Sequence, residues 1–434
     1  MEPYRILVVD DSPFMRAIFS DLITRDSEFA VIGTAGNGEE AVEAVKRLKP
    51  DAVTLDLEMP LMNGLEALQI IMKESPTPVI MLSGISEQNM RETIKALQHG
   101  AFDFIRKPTS AVSDDIQQVG ELLIEKLKMA VMTQRKRKLA GPAALPPVTE
   151  TARMPDSAYR KPAIKLPEAA DGQTAIGKGQ KKESKAKPAG PSSAKAVVNE
   201  TTQAYRPATT APNAGAGSPA APAEPAAAEN APKKKSKPVQ PVSFRHIVAI
   251  GTSTGGPRAL HEVISSLPEH LPAPVLVVQH MPPKFTRSLA QRLDSFSRLK
   301  VVEAEQGEKV LPGVVYIAPG GSHMELSRDK DGYCIKLTQE PPRGGHRPAV
   351  DVLFESLVPF KELQRHAVIM TGMGSDGAKG MEALAKSGAA STIAEAEETC
   401  VVYGMPRCAV ENGSAQAVVP LQQIAPSLVH NVSK

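Results

Sequence analysis

The sequence predicts two α/β domains, each a doubly wound parallel sheet, joined by a long disordered linker. Short apolar runs alternate with amphipathic helical stretches from Arg5 to about Lys128 and again after Phe244. Strands separated by helices pair in parallel and bury both sheet faces. Between Arg137 and Val242, by contrast, large apolar residues almost vanish, and such a segment cannot fill a core.

In the first domain, residues 1–130, the runs ILVV (6–9), AVTL (52–55), PVIML (78–82) and DFI (103–105) read as buried strands. GEEAVEAVKRL (38–48) and NMRETIKALQ (89–98) carry apolar residues at i, i+3, i+4 spacing and read as helices. Five strands alternating with five helices are expected. The 106 residues of 137–242 contain Ala, Pro, Ser and Lys clusters such as QKKESKAK and PKKKSK. A solvated linker is the better reading of those clusters than an anion-binding surface. A chain that long spans roughly 55 Å root-mean-square if as flexible as a Gly-rich one. In the last domain, residues 243–434, HIVAIG, PVLVVQH, HAVIMTG and STIAEA read as strands. PRALHEVISSL, FTRSLAQRL, VDVLFESLV and AKGMEALAKSG read as helices. HMELSRDKDGYCIKLTQE (323–340) alternates around Asp331-Gly332, the mark of an antiparallel hairpin inserted in the sheet.

A length of 434 residues exceeds one ordinary domain, and a net charge of +3 argues against a dedicated nucleic-acid binder. Three cysteines without metal-like spacing suit a reducing compartment. The N-terminus enters a strand directly, and no stretch holds the ~18–20 apolar residues that span a bilayer. A cytoplasmic protein is expected.

Sites in open parallel sheets form at the carboxyl ends of strands. Asp10 and Asp11 end the first strand of the chain, Asp56 the third, Ser83 the fourth and Lys107 the fifth. Three carboxylates at one edge repel unless a cation sits among them, and an all-oxygen set suits Mg²⁺. In the last domain Gly251-Thr252-Ser253-Thr254-Gly255 fits GxSxG, a tight strand-to-helix turn presenting a serine hydroxyl. Helix amides there favour an oxyanion. His280 ends a strand at the same sheet edge and stands out as the base; His323 and His346 lie near Gly-rich loops and stay open. Asp376, also beyond a strand end, is preferred as the orienting carboxylate over Asp351, which could simply cap a helix.

Residues 1–128 resemble a response-regulator receiver domain, a flavodoxin-like fold, over their whole length. The resemblance implies Asp56 as phospho-acceptor, with Asp10, Asp11, Asp56 and the carbonyl of Glu58 holding Mg²⁺. It also implies Ser83 and Lys107 as phosphoryl switch groups and Phe104 at the aromatic switch position. Residues 244–432 resemble the catalytic domain of chemotaxis protein-glutamate methylesterases through GTSTGG, QHMPPKFTRSLAQRL, GGHRPAVDVLF and TGMGSDGAKG. That resemblance implies a triad of Ser253, His280 and Asp376, with Met373 and Thr254 in the oxyanion region and no cofactor in the catalytic domain. Thr252 replaces the more familiar Ala, and the linker is far longer than the connector associated with the family. The implied partners are a chemotaxis histidine kinase as phosphodonor and methyl-accepting chemoreceptors as substrate. Hydrolysis of glutamyl methyl esters, with deamidation of receptor glutamines, is the expected activity, and the receiver is expected to cover the active site until Asp56 is phosphorylated. A receiver joined to a phosphate- or DNA-binding output is the competing class, and a hydrolase of some other protein ester or amide is a third.

Overall fold

The computed structural model describes residues 2–108, 113–140 and 244–434, with side chains of the 113–140 helix described at 116–136. In the N-terminal domain the chain runs β1 (Tyr4–Val9), α1 (Pro13–Thr24), β2 (Phe29–Ala35), α2 (Gly38–Leu48) and β3 (Ala52–Asp56). It continues through α3 (Gly64–Glu74), β4 (Val79–Ser83), α4 (Glu87–Gln98), β5 (Asp103–Arg106) and α5 (Ser113–Ala140). The strands form one parallel sheet in the order β2-β1-β3-β4-β5. Neighbouring residues of β1 point to opposite faces. Leu7 and Val9 join the core under α2, α3 and α4, while Ile6 and Val8 join the core under α1 and α5. Burial on both faces explains why these strands read as continuous apolar runs. The helix starts carry their own caps: the side chains of Ser12, Asn37, Asn63 and Ser86 accept first-turn amides.

Of the stretch expected to be a linker, 137–140 belong to α5 and 141–242 lie outside the described residues.

The C-terminal domain runs β6 (His246–Thr252), α6 (Gly256–Ser265), β7 (Val275–Gln279), α7 (Phe285–Asp294), β8 (Lys300–Glu303) and β9 (Val314–Ile317). The hairpin β10 (His323–Asp329) and β11 (Gly332–Thr338) follows, then α8 (Val350–Ser356), β12 (Gln364–Ile369) and α9 (Ala378–Lys386). The chain closes with β13 (Ser391–Glu395), α10 (Met405–Glu411), β14 (Ala417–Val419) and α11 (Leu421–Val432). Seven strands make a parallel sheet in the order β14-β13-β12-β6-β7-β9-β8. The antiparallel hairpin stands as its own two-stranded sheet, turning at Asp331-Gly332. The three short strands β8, β9 and β14 go beyond the sequence reading, because runs of three or four residues carry too little pattern to mark a strand.

The sheet order places the functional edge. From β6 the chain builds outward through β7 to β9 and β8, then returns to lay β12 on the other side of β6. Loops diverge at that switch point and open a crevice beyond the ends of β6 and β12.

The receiver-like domain packs on the catalytic-type domain through α4, β5 and α5. Met90, Ile94, Leu97 and Phe104 share one apolar cluster with α6 and α7 residues such as Leu260, Val263, Phe285 and Leu289. Leu123 and Leu127 of α5 lie in a second cluster that includes Val402 and touches Met373.

Candidate active site

The turn that carries Ser253 follows from steric limits on three glycines. A Cβ on Gly251 would lie 2.1 Å from Val350 Cγ1, and one on Gly256 would lie 1.9 Å from Gln279 Oε1. Gly255, with φ of 81°, takes the left-handed conformation that starts α6. Ser253 is therefore held half-exposed at the end of β6. Its amide donates to the Thr371 carbonyl (3.0 Å), and its carbonyl accepts from Gln279 Nε2 (3.0 Å). Among the described residues no group accepts from the Thr254 or Met373 amides.

His280 follows β7, and its amide donates to the Thr252 carbonyl (3.2 Å). Its Nε2 lies 2.7 Å from Asp376 Oδ2, and its Nδ1 is buried without a hydrogen-bond partner. No hydrogen bond joins the ring to the Ser253 hydroxyl among the described residues. Asp376 also accepts from the Val350 and Asp351 amides at the start of α8 (2.6 and 2.9 Å). Burial alone would raise its carboxyl. The hydrogen bond and charge of His280 and the two α8 amides outweigh burial and hold it below the ordinary carboxylate range.

Of the alternatives weighed in the sequence, Asp351 and His323 have other partners, whereas His346 lies against His280. Asp351 accepts the Gly380 amide (2.7 Å), tying α8 to α9. His323 is buried, with Nε2 3.2 Å from the Pro341 carbonyl oxygen and Nδ1 accepting from Ala349 (3.2 Å). His346 stacks flat on His280, ring centroids 3.8 Å apart and planes 9° apart. Burial and the neighbouring His280 push its imidazole down to about 4, so it is neutral near pH 7.

At the carboxyl edge of the other sheet, Asp10, Asp11 and Asp56 bring carboxylate oxygens within 4.8 Å of one another. Glu58 lines the same open cleft as Asp11. A cluster of oxygen donors alone fits a hard divalent cation. Lys107 Nζ bridges Asp10 (2.7 Å) and Asp56 (2.8 Å). Burial is the largest influence on Asp56 and, with Asp10 and Asp11, pushes it up to about 6 against the pull of Lys107. The Ser83 hydroxyl points away from this cluster, 2.6 Å from Thr93 Oγ1 on α4 and 3.1 Å from the Gly84 carbonyl. Phe104 is buried between the domains, stacked on Phe285 of α7 at 4.7 Å.

Contacts across the two domains are what the sequence reading missed. The Thr254 hydroxyl, one residue past Ser253, donates to Asp103 of β5 (2.6 Å), which also receives Lys126 of α5 (2.5 Å). Arg292 of α7 donates to Gln98 at the end of α4 (2.9 Å). The receiver thus reaches the turn that carries Ser253.

Two family models match the chain: the response regulator receiver domain over residues 6–118 and the CheB methylesterase over residues 248–428. The crystal structure of the Thermotoga maritima CheB methylesterase catalytic domain is 48% identical, covers 44% of this chain and 99% of its own, and has a TM-score of 0.42. A protein-glutamate methylesterase/protein-glutamine glutaminase of Halalkalibacterium halodurans is 39% identical across 99% of each chain. One of the same name from Geobacillus kaustophilus is 40% identical across 100% of each. The chain belongs to this family. These methylesterases are matched end to end, so the long stretch between the domains is not the departure that the sequence reading took it for.

Proposed function

We propose that this CheB-type methylesterase hydrolyses glutamyl methyl esters on chemoreceptors, releasing methanol, and deamidates receptor glutamines by the same route. What carries the reading is the buried His280–Asp376 pair beside Ser253, at the switch point of a sheet whose relatives are named for these two activities.

Asp376 stays ionised and can only accept, so Nε2 of His280 carries the proton and Nδ1 is the basic nitrogen. Nδ1 takes the Ser253 proton as Oγ attacks the ester carbonyl carbon. Negative charge then collects on the carbonyl oxygen, which takes hydrogen bonds from the Thr254 and Met373 amides. Collapse breaks the C–O bond to the methoxy group, which leaves as methanol with the proton from His280. Water, deprotonated by His280, attacks the acyl carbon; the glutamate carboxylate departs and Ser253 regains its proton. A glutamine side chain follows the same steps with ammonia as leaving group.

The receiver controls access. A chemotaxis histidine kinase donates the phosphoryl group, and Asp56 accepts it. Asp10, Asp11, Asp56 and the Glu58 carbonyl would hold Mg²⁺, which would supply positive charge for phosphoryl transfer. Lys107 pairs with the phosphorylated side chain. Ser83 exchanges Thr93 for a phosphoryl oxygen, which loosens α4 from α7 and β5 from the Thr254 turn. Among the described residues no helix is long and apolar enough to cross a membrane; the enzyme works in the cytoplasm on the cytoplasmic helices of its receptors.

Methanol release from methylated receptor membranes tests the reading, with wild type compared against Ser253→Ala. Turnover and fluorophosphonate labelling at Ser253 are expected to disappear together. Persistent methanol release by the alanine variant would overturn the mechanism.

A further inference from the structure

Behind the nucleophile turn lies a buried carboxyl that the mechanism above does not use. Glu395 ends β13, has no exposed surface, and accepts the Thr371 backbone amide at 2.8 Å. The reason for an acid there is in the strand ladder. β12 pairs with β13 as far as Ile369 opposite Ala394. Beyond that point no further pair joins the two strands, whereas β13 keeps its ladder with β14, Glu395 opposite Val419 and the Ala396 amide on the Val419 carbonyl. The Thr371 amide has lost its backbone acceptor, and a buried N–H must find another. The Glu395 side chain takes that place.

Thr371 in turn grips all three residues of the turn. Its carbonyl accepts the Ser253 amide (3.0 Å) and the Thr252 hydroxyl (3.1 Å), while its own hydroxyl donates to the Thr254 carbonyl (2.9 Å). The same hydroxyl accepts the Val402 amide (3.0 Å), so the clamp is tied to the loop after β13 as well.

We propose that Thr371 and Glu395 are positioning residues for hydrolysis: Thr371 clamps the turn bearing Ser253, and Glu395 anchors Thr371 by replacing a missing strand acceptor. The inference rests on Ser253 being the nucleophile. It requires an oxygen acceptor at 395, not a negative charge. Burial pushes the Glu395 carboxyl up to about 7, so it spends much of its time as a neutral acid at physiological pH while keeping that acceptor.

The test uses the full chain, activated with a small phosphodonor, with methanol release and the rate of fluorophosphonate labelling measured in parallel. Glu395→Gln retains an acceptor oxygen and is expected to keep kcat within about threefold of wild type. Glu395→Leu leaves the amide unsatisfied and is expected to lower kcat and labelling roughly tenfold to a hundredfold, with KM nearly unchanged. Wild-type kcat in a folded Leu variant, or equal losses in Gln and Leu variants, would overturn the proposal. Should the Leu variant fail to fold, Thr371→Val against Thr371→Ser decides: only the valine variant is expected to lose kcat, and equal behaviour of the two counts against the clamp. Ser253→Ala keeps the two readings apart, since turnover surviving in it defeats the serine mechanism, whereas normal Glu395→Leu beside a dead Ser253→Ala defeats only the anchor.

Discussion

Asp56 and Asp376 both stand buried at the carboxyl edge of a parallel sheet, yet their carboxyls are driven in opposite directions. At Asp56 burial wins, helped by repulsion from Asp10 and Asp11, and Lys107 offsets it only in part. At Asp376 burial loses to His280 and two α8 amides. The difference lies in the donors. Asp376 has three, the His280 ring and two amides, which favour its charged form. Asp56 shares a single ammonium with Asp10, and in the proposed function its oxygens take a cation and a phosphoryl group.

Removing the charge at each position breaks the comparison most directly. Asp376→Asn should lower kcat about 10⁴-fold with little change in KM, because His280 loses the group that selects its tautomer. Steady-state methanol release checks this, and a loss below tenfold would mean that the amides, not the charge, matter. Asp56→Asn should erase the whole response to a small phosphodonor, read as the ratio of activity with and without it. Stimulation that survives in that variant would place the phosphoryl group elsewhere.

A histidine with no acid beside it sharpens the point. His366 is buried, with Nε2 3.1 Å from His246 Nδ1, and burial followed by His246 pushes it down to about 4 from its ordinary 6.5. Between those values the unfolded chain binds the extra proton and the folded one does not. Stability should therefore fall as pH drops from 6.5 to 4, by on the order of 3 kcal/mol. Denaturant melts across that window should show the slope, and His366→Gln should lessen it, leaving the share of His346, which is pushed down in the same way.

The smallest effect concerns the domain contact. Asp103→Ala removes the acceptor for Thr254 and Lys126, and should raise activity without phosphodonor roughly tenfold. Unchanged basal turnover would show that apolar packing alone holds the receiver down.

Both sheets and the polar residues at their edges were legible because strand ends can be located from apolar runs, and the switch-point rule then says which ends converge. Ser253, His280 and Asp376 could be nominated that way, although His280 and Asp376 are 96 residues apart. The contact from Thr254 to Asp103 bridges 151 residues and joins two domains with separate patterns, so no periodicity announces it. Asp103 in DFI looks like the ordinary start of a strand. Glu395 was hidden differently: it closes the strand STIAEA, where a charged residue reads as the turn into solvent, and only the divergence of β13 from β12 gives it a buried partner. His346 was marked only by its Gly-rich loop, which did not tell of its stacking on His280, and Gln279 carried no pattern beyond standing next to His280.

The stacking of Phe104 on Phe285 has a consequence for timing. In the opening proposed above, two aromatic rings and the helices around them would become wet, and water would push them back together. The closed arrangement would then be the resting position of a sprung latch, and the duration of each burst of activity would be governed by how long the phosphate survives on its aspartate.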